Sequence, residues 1–150
     1  MIVNNIHYRP MQAPERPLVT QMIKALYDED PEGHPLPEAH ISRTFEQLSA
    51  HPDYGTILVF EFEKQIIGYA VLINFWSNEY GGIVLSIDEL YIVPEFRSQG
   101  IATHFIQYLH DTKFNNAVAL ELEVIPYNTR ALKLYKKLGF ETSNRHHLLW

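Results

Sequence analysis

The chain has no cysteine, so disulfides, thiolate nucleophiles and zinc sites built on thiolates are excluded. Its eight histidines do not supply a metal site instead. His146 and His147 are adjacent, and His104 and His110 stand six apart, so neither pair has the i,i+4 spacing of helical ligands. No metal is expected. Positive charge is also scarce: 12 Lys and Arg face 18 Asp and Glu, for a net charge of −6. A nucleic-acid partner calls for a basic stripe and is not expected, whereas a cationic partner suits this balance. No apolar run reaches the roughly 18 residues of a membrane span, and the opening MIVNNIHYRP lacks the basic-then-apolar order of a secretory signal. No membrane partner is expected, and the cytoplasm is the expected compartment.

What is present is the composition of an ordinary folded globule, 46% hydrophobic and 20% charged over 150 residues. That is enough for one domain, residues 1–150, with a substantial core. IVNNIHYRP reads as a short strand ended by Pro10. PERPLVTQMIKALYDED then carries Leu18, Val19, Met22, Ile23, Leu26 and Tyr27 at the three-four spacing of a helix face. PEGHPLPEAH breaks that pattern with three prolines and a glycine, and HISRTFEQLSAHPD resumes it through Ile41, Phe45 and Leu48. After Pro52 come three β-rich runs, separated by Glu63-Lys64-Gln65 and by Ser77 to Gly82, which predict an antiparallel meander. A helix (GIATHFIQYLHDTKF), a strand (AVALELEVI), a second helix (NTRALKLYKKLG) and a closing strand or hairpin in FETSNRHHLLW follow. The order β-α-α-β-β-β-α-β-α-β describes an α+β domain with a central, mostly antiparallel sheet flanked by helices. Its late strand-helix-strand unit requires a right-handed crossover, hence one parallel pair in that mixed sheet.

The stretch RSQGIA, Arg97 to Ala102, lies where the strand SIDELYIV gives way to a helix. Amides of a first helical turn lack intrahelical partners, and the helix dipole makes that end partly positive. A pyrophosphate can accept those hydrogen bonds, with Gly100 leaving the backbone open to close approach. The hexapeptide alone serves equally as an ordinary strand-to-helix turn. It has neither the Gly-Lys-Ser/Thr of a phosphate loop nor the three glycines of a dinucleotide fingerprint.

Two stretches together, DELYIVPEFRSQGIATHFIQYL and YNTRALKLYKKLGFE, resemble the GNAT superfamily of acetyl-CoA-dependent N-acetyltransferases. The shared pattern is a strand, a basic residue, two variable residues, Gly, one residue, Gly or Ala, then a helix; an Asn-led helix with a Tyr, ending in Gly-Phe, follows. The resemblance implies a GNAT-like fold and acetyl-CoA as acyl donor. It implies that Tyr91, Ile92 and Val93 serve the pantetheine arm and acetyl carbonyl through their backbone, the Val93 amide acting as oxyanion donor. It assigns Ser98, Gln99, Gly100, Ile101, Ala102 and Thr103 to the pyrophosphate, Arg97 to the motif's leading basic position and Asn128 to the pantetheine arm. Tyr135 would protonate the departing thiolate, although plain aromatic packing on an amphipathic helix accounts for a tyrosine there equally. Ser98 and Ala102 replace glycines common in the family, and both are small.

The acceptor ammonium must lose a proton before its nitrogen attacks. Glu89 shares a strand face with Tyr91 and Val93 and matches a glutamate of polyamine-type members; Asp88 points the other way and is the weaker candidate. Asp28, Glu29, Asp30, Glu32 and Glu38, with Tyr27, Phe75, Trp76 and Tyr80 as walls and Glu79 at the mouth, suit a small cationic amine: a polyamine, an aminoglycoside-like compound or a lysine-like amino acid. A solvated acidic loop is the plainer reading of that run. A protein lysine or N-terminal acetyltransferase, and a non-catalytic acetyl-CoA-binding module, are the rivals. His104 and His110 read as surface or boundary residues, and the resemblance adds a homodimer in which HHLLW would take part.

Overall fold

The computed structural model describes residues 1–30 and 32–150. Among them, one sheet runs in the order β1 (His7–Pro10), β2 (Gly55–Phe62), β3 (Gln65–Ser77), β4 (Gly82–Ile92) and β5 (Ala119–Leu122). Every neighbouring pair is antiparallel except β4 with β5, which is parallel. The parallel pair follows from the crossover through α3 (Ile101–Asp111), because two parallel strands cannot be joined by a tight turn. The β2–β3 hairpin turns on Glu63 and Lys64, both with positive φ (49° and 65°), the handedness that matches the twist of flanking strands.

Helices cover both faces. α1 (Arg16–Asp28) and α2 (Glu38–Ala50) bury Val19, Ile23, Ile41 and Phe45 against Ile57, Val59, Tyr69, Val71 and Tyr91. On the opposite face α3 buries Phe105, Ile106 and Leu109 against Tyr8, Phe60, Leu72 and Leu85. Phe60 and Phe105 are both fully buried with ring centroids 4.6 Å apart. Burial of each such ring contributes about 2–3 kcal/mol before its ordering entropy is subtracted. α4 (Thr129–Leu138) lies on the same face but has no buried residue; Tyr135 and Leu138 are half-buried against the α3 core.

β4 carries an extra residue. Glu89 pairs with Val71 and Ile87 with Leu72, so Asp88 forms a β-bulge. Leu85 and Ile87 face α3, yet Tyr91, an even number of residues on, packs with the α1–α2 core. The bulge therefore reverses the alternation, and it bends the strand as bulges do. The last β4–β5 pair is Ile87 with Leu122, directly before it. From there β4 runs on without β5 beside it, and a gap opens.

The C-terminal expectation is not met: residues 141–150 form neither strand nor helix and are exposed. The polar run ETSNRHH has no period-two alternation, and the apolar Leu148, Leu149 and Trp150 are bunched behind it, so no face exists for a sheet to bury. Likewise β5 ends at Leu122, short of the predicted AVALELEVI, because the bent β4 offers it no further partner. Among the described residues, no helix is long and apolar enough to cross a membrane.

Candidate active site

The gap beyond Ile87 is the floor of a cleft of about 540 Å³. Leu90, Tyr91 and Ile92 line its floor, Ser98, Gly100, Ile101, Ala102 and Thr103 one wall, and Asn128, Arg130, Ala131, Leu134 and Tyr135 the other. Leu26 and Glu29, from the end of α1, close one side. Every expected cofactor residue but Gln99 and Val93 thus meets here, together with Tyr135, whereas Glu89 is not in the lining. Gln99, exposed within the same loop, and Val93 are not part of the lining.

The backbone of β4 decides which amides face the cleft. Val93 N donates to Ile67 O at 2.9 Å, so the Val93 amide is turned toward β3 and is not the cleft's oxyanion donor. This corrects the sequence expectation. In an antiparallel pair the N–H and C=O of one residue point to the same side and successive residues alternate. Leu90 and Ile92 therefore present their main-chain groups away from β3, to the cleft side. The Ile92 carbonyl is indeed taken there, by Arg97 Nε at 2.7 Å.

The loop between β4 and α3 is built to expose amides. A short 3-10 turn, Pro94–Phe96, leads to Ser98 with φ of 62° and to Gly100, which caps α3 with φ of 80°. Left-handed backbone at Gly100 is what glycine accommodates without strain, and a side chain there would project into open space. No side chain caps α3, so the amides of its first turn stay free at the cleft wall. α4 differs, because Asn128 Oδ1 accepts from Ala131 N at 3.2 Å and caps the helix. That bond uses the oxygen of the amide and leaves its NH2 as a donor beside the cleft.

Arg97 is held tightly. Besides the Ile92 carbonyl it binds Glu29 Oε1 at 2.6 Å and stacks its guanidinium 5.2 Å from the Tyr91 ring centre. Its charge is thereby matched to Glu29. Arg130, which the sequence reading did not single out, donates to Ser98 Oγ at 2.8 Å. Only its position two residues after Asn128 could have flagged it.

Glu89 lies on the α1 face of β4, with Oε1 accepting from the Tyr69 hydroxyl and Oε2 from the Tyr27 hydroxyl, each at 2.8 Å. Burial pushes its carboxyl above the usual carboxylate range; the two phenol donors pull the other way, and Asp88 adds to the rise. Burial and the nearby Glu89 carboxylate push both phenols far up, so they remain donors. Asp88 itself is exposed at the bulge, and partial desolvation with Glu123 nearby raises its carboxyl. Among the described residues none hydrogen-bonds the Tyr135 hydroxyl, whose pKa is raised by burial alone.

The acceptor-side expectations divide. Glu29 is paired with Arg97, Asp30 accepts from the Tyr127 hydroxyl at 3.0 Å and Glu38 pairs with Lys24 at 3.1 Å. Asp28 and Glu32 are exposed, and Pro31 lies outside the described residues. Phe75 and Trp76 lie four and five residues along β3 from Val71, the partner of Glu89, about 14–17 Å at ~3.4 Å per residue, and Glu79 and Tyr80 sit in the turn beyond, about 20 Å or more away. They are not walls of this cleft, and Glu79 instead pairs loosely with Arg145 at 3.7 Å. His104, half-buried, meets the Tyr8 hydroxyl at 2.7 Å and serves packing, while His110 is exposed. Among the described residues, no three His, Asp or Glu side chains gather to hold a metal ion.

The family model for the acetyltransferase (GNAT) family matches residues 20–140. The chain belongs to that family. Among curated proteins it is similar to the thialysine N-epsilon-acetyltransferase of Bos taurus, 32% identical over 75 residues. That match takes in 49% of this chain and 44% of the relative, so the chain spans about half the length of the curated relatives it matches. Among solved structures it is similar to an integron cassette protein from the mobile metagenome of Cole Harbour Salt Marsh. Identity there is 25% with a TM-score of 0.79, covering 100% of this chain and 91% of the other. An aminoglycoside N-acetyltransferase in complex with CoA shares the GNAT fold at 21% identity and a TM-score of 0.74, covering 97% and 93% of the two chains.

Proposed function

We propose that this GNAT chain moves an acetyl group from acetyl-CoA to the primary amine of a small cationic compound by direct attack. The observation that carries the reading is the cleft opened by the Asp88 bulge. It has free helix-start amides at one wall, strand amides on its floor and a burial-perturbed tyrosine opposite. The relatives fit the same chemistry, because one is named for acetylating the ε-amine of thialysine and another for acetylating aminoglycosides.

Each residue has a definite task in this reading. The first-turn amides of α3 and the NH2 of Asn128 hold the diphosphate and pantetheine arm. The Ile92 and Leu90 amides, facing the gap, polarise the thioester carbonyl. Glu89, ionised, first takes the ammonium proton, directly or through a water, and the freed amine nitrogen then attacks that carbonyl. As the C–S bond breaks, the Tyr135 hydroxyl delivers its proton to the departing sulfur. The adduct's surplus N–H proton leaves to solvent, from which the Tyr135 phenol is restored. Glu89's raised pKa makes it a stronger base than an exposed carboxylate, and the two tyrosines fix where its lone pairs point.

Thermal shift with acetyl-CoA, followed by thiol release over a panel of polyamines, aminoglycosides, lysine analogues and basic peptides, tests the reading. Stabilisation with turnover on small amines is the expected result. Turnover confined to peptides would move the assignment to protein acetylation, and stabilisation without turnover on any amine to a sensor of acetyl-CoA.

A further inference from the structure

Three charged side chains line the cleft: Glu29, Arg97 and Arg130. Glu29 and Arg97 neutralise each other at 2.6 Å. Arg130 is bonded only to a neutral hydroxyl, and among the described residues no carboxylate pairs with it. The lining therefore carries one uncompensated positive charge, in a chain whose net charge is −6.

The placement of that charge is unfavourable to the fold itself. Arg130 stands in the first turn of α4, where the helix dipole is positive and cations are disfavoured by about 0.3–1 kcal/mol. Across the cleft, Ser98 belongs to the loop that ends at the start of α3, a second positive helix end. Two helix N-termini and the Arg130 guanidinium converge, and among the described residues the one carboxylate of the lining, Glu29, is paired with Arg97 instead. A guanidinium also presents several coplanar donors, of which the Ser98 bond uses one.

We propose that Arg130 is the side chain that binds the diphosphate of the cofactor, with Arg97 bracing the loop through Ile92, Tyr91 and Glu29. This rests on the acetyl-CoA reading above. The guanidinium forms paired hydrogen bonds to phosphate oxygens, and Ser98 aims it in their absence. Arg130 thereby distinguishes a diphosphate-bearing thiol carrier from the bare pantetheine arm.

The test is calorimetric titration of the full chain with CoA, 3′-dephospho-CoA and pantetheine. Arg130→Ala should weaken CoA and 3′-dephospho-CoA alike by about tenfold or more, the effect of losing a charged hydrogen bond, and leave pantetheine unchanged. Arg130→Lys should fall between, keeping the charge without the fork. Lys133→Ala, the same charge change at an exposed position of α4 outside the lining, should change none of the three. Thermal unfolding confirms that each variant is folded. CoA affinity unaltered in Arg130→Ala overturns the assignment. A loss seen with CoA but absent with 3′-dephospho-CoA also overturns it, because the 3′-phosphate would then be the contact. An unmutated chain that binds neither nucleotide overturns the acetyl-CoA reading itself, a result recognisably different from either.

Discussion

Gly100 separates the backbone requirement of the β4–α3 loop from the electrostatic requirement that the proposed diphosphate site adds. Its φ is 80°, and nothing stands within 4 Å of where a Cβ would project. Replacement by alanine then brings left-handed strain without a clash, about 1–2 kcal/mol. For a domain of this size that lowers Tm by roughly 2–8 °C. Glutamate has the same Cβ and should lose a similar amount of stability. It also points a carboxylate at the diphosphate. Two opposed charges to one at ~5 Å and an effective dielectric near 40 repel by roughly 3 kcal/mol, on the order of a hundredfold in affinity. Differential scanning calorimetry with CoA titration on both variants reads the two effects separately. Equal CoA affinity for Gly100→Ala and Gly100→Glu would refute the placement of the anion at this loop.

Three further outcomes are expected. Tyr135→Phe should reduce kcat by about 10²-fold or more while CoA affinity stays near that of the parent; a mere packing role would leave kcat unchanged. Activity should fall as pH drops through the Glu89 pKa, which burial has raised above the ordinary carboxylate range, since the base must be ionised. Tyr27→Phe removes a donor that favours the ionised form, so this acid limb should move to higher pH, and a pH–rate profile of the two proteins checks the sign. Arg9 ties Glu61 of β2 at 2.7 Å to Glu15 ahead of α1 at 2.6 Å, so Arg9→Ala should cost about 2 kcal/mol in urea unfolding. Arg9 holds the Glu15 carboxyl below its unfolded value. The stability this gives is present above that unfolded value and lost as pH falls through the folded one, so the variant should be less acid-sensitive.

The meander was legible because Glu63-Lys64 interrupts two β-rich runs, and α1 because Val19, Met22 and Ile23 recur at helical spacing. The strand-to-helix loop at the cleft wall was legible because Gly100 sits where a strand pattern ends and a helical one begins. The bulge left no trace: Val84, Leu85 and Ile87 are all apolar, and a strand buried on both faces hides any change of phase. The family resemblance pointed to the Val93 amide for the acetyl carbonyl, and pairing with Ile67 turns that amide toward β3 instead. Glu79 and Tyr80 seemed near the cleft only because the sequence does not state which end of a long hairpin holds the site. Arg130 escaped notice because its meaning depends on Glu29 cancelling Arg97, a contact across 68 positions.

The single surplus residue at Asp88 leaves an unfinished seam in the sheet. Were it deleted, Glu89 could follow Ile87 in an even ladder, and β5 could zip onward toward Ile92 and seal the opening. Such a shortened chain should melt higher and accept no thioester, the familiar opposition of sturdiness and catalytic aptitude reduced to one position.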